Sequence, residues 1–303
     1  MAPPRHFIER YVAPGAKIAL IAPAGPFDRA DFARGLARLR SHYDVHHDES
    51  IFDRDGYFAG DDARRSRELQ DALTIRRADA IVAARGGYGA MRLLDRLDLA
   101  AIRGGAPLLV GFSDISALHA LWAKASVGSI HGNMVGALGR ASDALWQRWR
   151  DAIEGRFIER FDGLQTIREG AADGLLLGGN LAVLTALIGT PHFPPLTEAV
   201  LFLEDIGERP YRIDRMLTTW RQAGAFAGVR AIVLGAFVQG EAGPDGVRLE
   251  DVLAERLGDL GIPVASGLPA GHLDDNVELP FGRRVTLDAS RGVLHLHPLG
   301  SVR

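Results

Sequence analysis

Residues 108–122 read LLVGFSDISALHALW, and the fold class follows from this stretch. A short apolar run, Pro107 to Gly111, passes directly into Ile115 to Ala125, where apolar residues recur at helical spacing. That is the signature of a buried strand handing over to an amphipathic helix. Ser113 stands at the junction, with Gly111 relieving the crowding that so sharp a turn creates. A hydroxyl so placed lies at the carboxyl edge of a sheet and beside the positive end of a helix, where backbone amides can stabilise a developing oxyanion. Ser113 is a candidate nucleophile by position. The competing reading is that Ser113 or Asp114 only caps the helix, and the letters depart from GxSxG.

The same handover recurs upstream. KIALIA (17–22) is stopped by Pro23, Gly25 and Pro26 and followed by helical spacing from Asp28 to Leu39. AIVAA (80–84) runs into RGGYG (85–89) and then a helix expected over Ala90 to Leu97. Near-continuous apolar strands alternating with helices call for a parallel sheet covered on both faces. From Ile153 to Glu169 the periodicity breaks, so the expected division is an N-terminal domain over 1–160 and a C-terminal domain over 170–303. In the second, strands are expected at Leu175–Leu177, Val200–Leu203 and Ile232–Leu234, with helices at Leu181–Ile188, Pro210–Ala223 and Val247–Leu257. Asn276–Leu279, Arg284–Leu287 and Val293–His297 alternate apolar with polar residues, as half-buried antiparallel strands do. The fold class is α/β: a parallel-sheet first domain and a mixed second domain with antiparallel strands.

Composition narrows the function classes. At 303 residues, 47% hydrophobic and 24% charged, the chain can bury a sizeable core. A net charge of −3 and a pI near 6.4 favour neither a phosphate backbone nor an anionic membrane, so a small-molecule partner is expected. Cysteine is absent, which removes disulfides, thiolate nucleophiles and cysteine metal sites together. The opening MAPPRHFIERYVAPG lacks the apolar core of a secretory leader, and no run approaches membrane-spanning length, so the cytoplasm is the default location.

Other segments carry polar groups at strand ends. The glycines of RGGYG let backbone amides approach a ligand, although the spacing is not a dinucleotide fingerprint and no Walker lysine follows. A tight strand-to-helix turn explains them equally well. LFLEDIG (201–207) ends an apolar strand on Glu204 and Asp205, and a carboxylate there can orient a histidine; a solvated acidic turn is the plainer alternative. GLPAGHLDDN (267–276) puts His272 in a Gly/Pro loop, suited to general-base work. With Asp274 and Asp275 it could suggest a metal site, but the cluster is sparse and lacks cysteine or an HExxH helix, so a metal ranks well below a general base. His42, His46 and His47 read as a solvated strand edge, His295 and His297 as one exposed strand face, and His131 as a residue lining the cleft.

Five segments in this order resemble the LD-carboxypeptidase family, which includes the microcin-immunity peptidases: IAPAGP (21–26), ARGGYGAMRLL (84–94), GFSD (111–114), LFLEDIGERPYRIDRML (201–217) and GLPAGH (267–272). The resemblance spans nearly the whole chain. It implies a flavodoxin- or Rossmann-like first domain supplying the nucleophile, Ser113, and a mixed α/β second domain supplying Glu204 and His272. Backbone amides of Gly87 and Asp114 would form the oxyanion hole. The implied reaction is hydrolysis of a murein tetrapeptide at its L,D bond to release D-alanine, in peptidoglycan recycling, by a homodimer without cofactor. Arg85 and Arg212 are candidates for pairing with the substrate carboxylate. Three rival readings stand beside it. One keeps the triad but gives it an aminoacyl-nucleotide substrate, as a microcin-immunity amidase. Another is a non-catalytic protein that binds a small ligand between two α/β domains, and a nucleotide-dependent enzyme using the glycine loop is a third possibility.

Overall fold

The computed structural model describes residues 6–75, 77–242 and 246–299. Its strands in chain order are β1 (Lys17–Ile21), β2 (Asp44–His46), β3 (Ala80–Ala83), β4 (Leu108–Gly111), β5 (Ser129–His131), β6 (Arg160–Phe161), β7 (Gln165–Arg168), β8 (Ala171–Asn180), β9 (Ala199–Ile206), β10 (Ala231–Val238), β11 (Val264–Ser266), β12 (Leu279–Phe281), β13 (Arg284–Asp288) and β14 (Val293–Leu296). The α-helices are α1 (Arg29–Arg40), α2 (Asp62–Thr74), α3 (Leu99–Gly105), α4 (Ser116–Ala125), α5 (Val135–Leu138), α6 (Asp143–Ile153), α7 (Leu181–Leu187), α8 (Pro210–Gln222) and α9 (Leu249–Leu257). Among the described residues no helix is long and apolar enough to cross a membrane. The chain divides into two compact units, Met1–Phe157 with Glu278–Gly282, and Ile158–Val277 with Arg283–Arg303.

In the first unit the sheet order is β12-β5-β4-β3-β1-β2. Strands β1 to β5 are mutually parallel, and β12 closes the far edge antiparallel to β5. The parallel order 2-1-3-4-5 is the flavodoxin-like one, and its switch point lies between β1 and β3. Uninterrupted apolar runs account for the burial of β1, β3 and β4: every residue of AIVA and LLVG is buried, and in β1 only Lys17 is exposed. Beneath the sheet, Trp146 and Trp149 of α6 stack at 5.5 Å, and the Trp149 indole donates to the Asn133 carbonyl at 2.9 Å. Two expectations shift. The helix expected over Ala90–Leu97 is a 3₁₀ helix over Ala90–Arg96, and the strand expected at Asn276–Leu279 runs instead over Leu279–Phe281 and joins this unit's sheet.

The second unit is built on one sheet of order β6-β14-β13-β8-β9-β10-β11-β7. Its middle, β8 to β11, is parallel, whereas β13, β14, β6 and β7 add antiparallel strands on either side. The core of the parallel centre is apolar, with Val200 to Leu203 and Ala231 to Val233 fully buried. The antiparallel β13 alternates buried with half-buried residues, as its sequence predicts. Pro210 opens α8, where its missing N–H costs nothing.

Candidate active site

In the first unit the loops after β1, β3 and β4 meet at the carboxyl edge of the sheet. Ser113 follows β4 and sits in the left-handed region at φ +62°, a conformation that costs a non-glycine residue about 1–3 kcal/mol. Strain of this kind occurs at sharp strand-to-helix turns. The neighbouring loop is shaped to accept it. A Cβ added to Gly86 would lie 2.9 Å from Ser113 Cβ and 3.1 Å from its Oγ, so only glycine leaves room for the hydroxyl. Gly87 follows at φ +111°, and Gly25 of the β1 loop donates its amide to the Gly86 carbonyl at 3.0 Å.

Asp114 does not cap the helix that follows. The N-cap of α4 is Ile115, with no side-chain capping bond, and the buried Asp114 carboxylate instead accepts the Ala90 amide at 2.8 Å. Burial pushes this carboxyl up to about 6, while the Ala90 amide and the Arg65 charge pull the other way. His119 is the histidine nearest Ser113 in sequence, and it is not a base. It is buried, its Nε2 bonds the Gly111 carbonyl and its Nδ1 the Ser129 hydroxyl, both at 2.8 Å. Loss of solvation drives its pKa down to about 4, so the ring stays neutral and ties β4 to β5. His131 does not line a cleft as its sequence position suggests; it is fully buried among the rings of Phe112, His119 and Phe281.

In the second unit Glu204 and His272 are brought together. Glu204 occupies the carboxyl end of β9 and is completely buried, and the His272 Nδ1–H donates to its Oε2 at 2.7 Å. A carboxylate accepts, so this bond places the ring's donating N–H on Nδ1 and orients the imidazole. The His272 side chain is partly exposed at 15%, whereas that of Glu204 is wholly buried. Gly271, at φ +119°, makes the pairing possible: a Cβ there would come within 2.8 Å of Glu204 Oε2.

Two asparagines that the sequence reading passed over hold this pair. Asn180 ends β8 directly beside Glu204 in the parallel register, and its amide nitrogen donates to Asp205 at 3.0 Å and to Glu204 Oε1 at 3.4 Å. Its oxygen accepts the Val183 amide and so caps α7. Asn276 accepts the Gly271 amide at 2.8 Å and closes the histidine loop on itself. A capping residue at the end of a buried strand was the available signal for Asn180; none marked Asn276. Asp205 is not a solvated turn residue but is buried, accepts the Ala182 and Ile206 amides, and has its carboxyl pushed up to about 6 by burial. The two candidate arginines are both exposed. Arg85 donates to the Pro26 carbonyl at 2.6 Å, and Arg212, on α8, contacts Glu208 at 3.4 Å beside the Tyr211 ring.

Comparison with known proteins agrees with this geometry. The pattern of the LD-carboxypeptidase N-terminal domain matches residues 18–132, and that of the LD-carboxypeptidase C-terminal domain matches residues 173–287. A Streptomyces coelicolor protein, provisionally named a carboxypeptidase, is 39% identical over 94% of this chain and 94% of its own. The crystal structure of muramoyltetrapeptide carboxypeptidase from Oxalobacter formigenes is similar at a TM-score of 0.81 and 32% identity, covering 92% of this chain and 97% of that one. The microcin C7 self-immunity protein MccF, crystallised with aspartyl sulfamoyl adenosine, shares the fold at a TM-score of 0.86 and 21% identity, over 96% of this chain and 98% of its own. With both domain patterns matched along the chain and a relative 39% identical over 94% of it, the chain belongs to the LD-carboxypeptidase family.

Proposed function

We propose that the protein is a serine LD-carboxypeptidase that hydrolyses the bond between the L-centre of diaminopimelate and the terminal D-alanine of a murein tetrapeptide. The observation that carries this reading is the Glu204–His272 pair at 2.7 Å, in which a buried carboxylate orients the imidazole. In this mechanism His272 Nε2 takes the proton from Ser113 Oγ as the oxygen attacks the scissile carbonyl, and Glu204 stabilises the imidazolium that forms. The amides of Gly87 and Asp114 hold the oxyanion, and each such donor is typically worth about 3 kcal/mol. Collapse of the tetrahedral intermediate breaks the C–N bond, and His272 returns its proton to the departing D-alanine amine. Water then cleaves the acyl-serine by the same sequence.

Arg85 and Arg212 are the proposed partners of the terminal carboxylate. We place the activity in cytoplasmic peptidoglycan recycling by a homodimer, which light scattering of the purified chain checks directly. The deciding experiment incubates the tetrapeptide with wild type and with Ser113→Ala and measures free D-alanine. Release by wild type alone is expected; release by both would dismiss Ser113. An aminoacyl sulfamoyl adenylate in a parallel arm separates peptide from nucleotide substrates.

A further inference from the structure

One carboxylate beside the nucleophile takes no part in the chemistry described so far. Asp114 is only 3% exposed and reaches across 24 residues of sequence to accept the Ala90 amide at 2.8 Å, with the Gly89 amide also directed at it. On the other side of Gly89 lies Arg65, whose side chain is wholly buried. Its Nε donates to the Gly60 carbonyl at 3.2 Å, its Nη1 to the Pro23 carbonyl at 2.5 Å, and its guanidinium pairs with Asp62 and lies 4.5 Å above the Phe58 ring. A Cβ on Gly89 would fall 2.4 Å from Arg65 Nη1, so the loop is packed directly against that cation. The glycine loop is thus held between a buried anion on the nucleophile turn and a buried cation on α2. At its other end Gly86 touches Ser113 itself.

These contacts have a cost that the fold alone does not require. Desolvating a carboxylate is expensive, and a helix cap is the cheap use for an aspartate at this position. Asp114 serves as no cap, and its acceptor oxygen is spent on the loop amides instead. We propose that the Asp114 carboxylate is a positioning residue, which clamps the Gly86–Ala90 loop against the Ser113 turn so that the loop amides and the Asp114 amide converge on one oxyanion. The inference rests on the reading of Ser113 as nucleophile. A misplacement of about 1 Å in such donors is enough to cost about a hundredfold in rate.

The test uses Asp114→Ala and Asp114→Asn beside wild type and Ser113→Ala, with two readouts. Steady-state D-alanine release from the murein tetrapeptide gives kcat and KM, and hydrogen exchange followed by NMR gives the protection of the Ala90 amide. The clamp predicts that Asp114→Ala lowers kcat by about a hundredfold with KM within threefold, and exposes the Ala90 amide to exchange at least tenfold faster. Asp114→Asn keeps one acceptor oxygen and is expected to recover about tenfold of the lost kcat. A folded Asp114→Ala or Asp114→Asn with wild-type kcat and unchanged Ala90 protection overturns the proposal. If Asp114→Ala does not fold, Asp114→Asn alone decides: its kcat must fall at least fivefold at unchanged KM. Should wild type release no D-alanine, the functional reading fails on its own. The clamp is then judged by exchange alone, and an Ala90 amide equally protected with and without the carboxylate refutes it.

Discussion

Ser113 pays for its orientation with backbone strain, and the size of that strain is measurable. Glycine adopts φ +62° without the Cβ clash, whereas alanine keeps it. Ser113→Gly is therefore expected to be more stable than Ser113→Ala by about 1 kcal/mol, after its greater unfolded-state entropy is counted. Chemical denaturation of the two variants checks this, and equal stabilities would show the turn to be relaxed. In the second unit Gly271 is the comparable position. Gly271→Ala drives a methyl group into Glu204 Oε2 and should lower kcat by about a hundredfold, read in the D-alanine assay, with the global fold retained by circular dichroism. At this scale the sequence was informative where a residue type is chemically loud. Ser113 and Glu204 each admit a plainer explanation alone, a helix cap or a solvated turn, and with His272 they stand out through the order of their motifs along the chain. Asn180 was marked only by its place as a capping residue at a strand end, and Asn276 acts through an ordinary amide bond that nothing local distinguishes.

Among the elements, α2 shows what the hydrophobic pattern hides. Its sequence, DARRSRELQDALT, is dominated by charge, yet Arg64 and Arg65 are buried along it, and Glu68, 7% exposed at its side chain, pairs with Arg64 at 3.0 Å and accepts the Ala22 amide at 2.7 Å. Burial raises the Glu68 carboxyl to about 7, outweighing the Arg64 charge and the amide bond. The native state then holds a proton that the unfolded chain, with an ordinary carboxyl near about 4.3, has released. Its contribution is present below that ordinary value and is lost as pH rises through the folded one, at up to about 1.4 kcal/mol per pH unit. Glu68→Gln should therefore flatten the fall in stability between about pH 5 and 7, measured by urea denaturation across that range; parallel curves for the two proteins would rule the effect out. Strands with unbroken apolar runs, β1, β3, β4, β9 and β10, were legible without the structure. The two-residue β6 and three-residue β11 were not, because so few residues carry no period. The 3₁₀ geometry of Ala90–Arg96 was hidden for another reason: its first amide is claimed by Asp114, a partner remote in sequence.

For the molecule as a whole, chain order and structural membership part company at β12. Leu279–Phe281 pairs with Ser129–His131 and completes the first unit's sheet although it comes from near the end of the chain. Periodicity cannot reveal this, since a strand's pattern reports its burial and not its partner. A fragment ending at Phe157 should leave the β5 edge unpaired and Phe281's place beside His119 and His131 empty. It is expected to be less stable by about 2–5 kcal/mol, within the range for removal of a large buried side chain and its backbone pairing, than the same fragment with residues 278–282 rejoined through a glycine linker. Thermal melts of the two fragments test this, and identical midpoints would refute it.

The sheet of the second unit carries a different consequence. Its marginal strands β6 and β7 are separated by three residues, Asp162 to Leu164, although six strands lie between them in the ladder. Four Cα steps from Phe161 to Gln165 reach about 15 Å at most, whereas seven gaps in a flat ladder measure about 34 Å. The ladder must therefore roll until its two borders nearly meet, like a cuff fastened by a short tab. A rolled sheet offers no long straight border to a passing chain, so this half of the protein resists edge-to-edge aggregation by its connectivity alone.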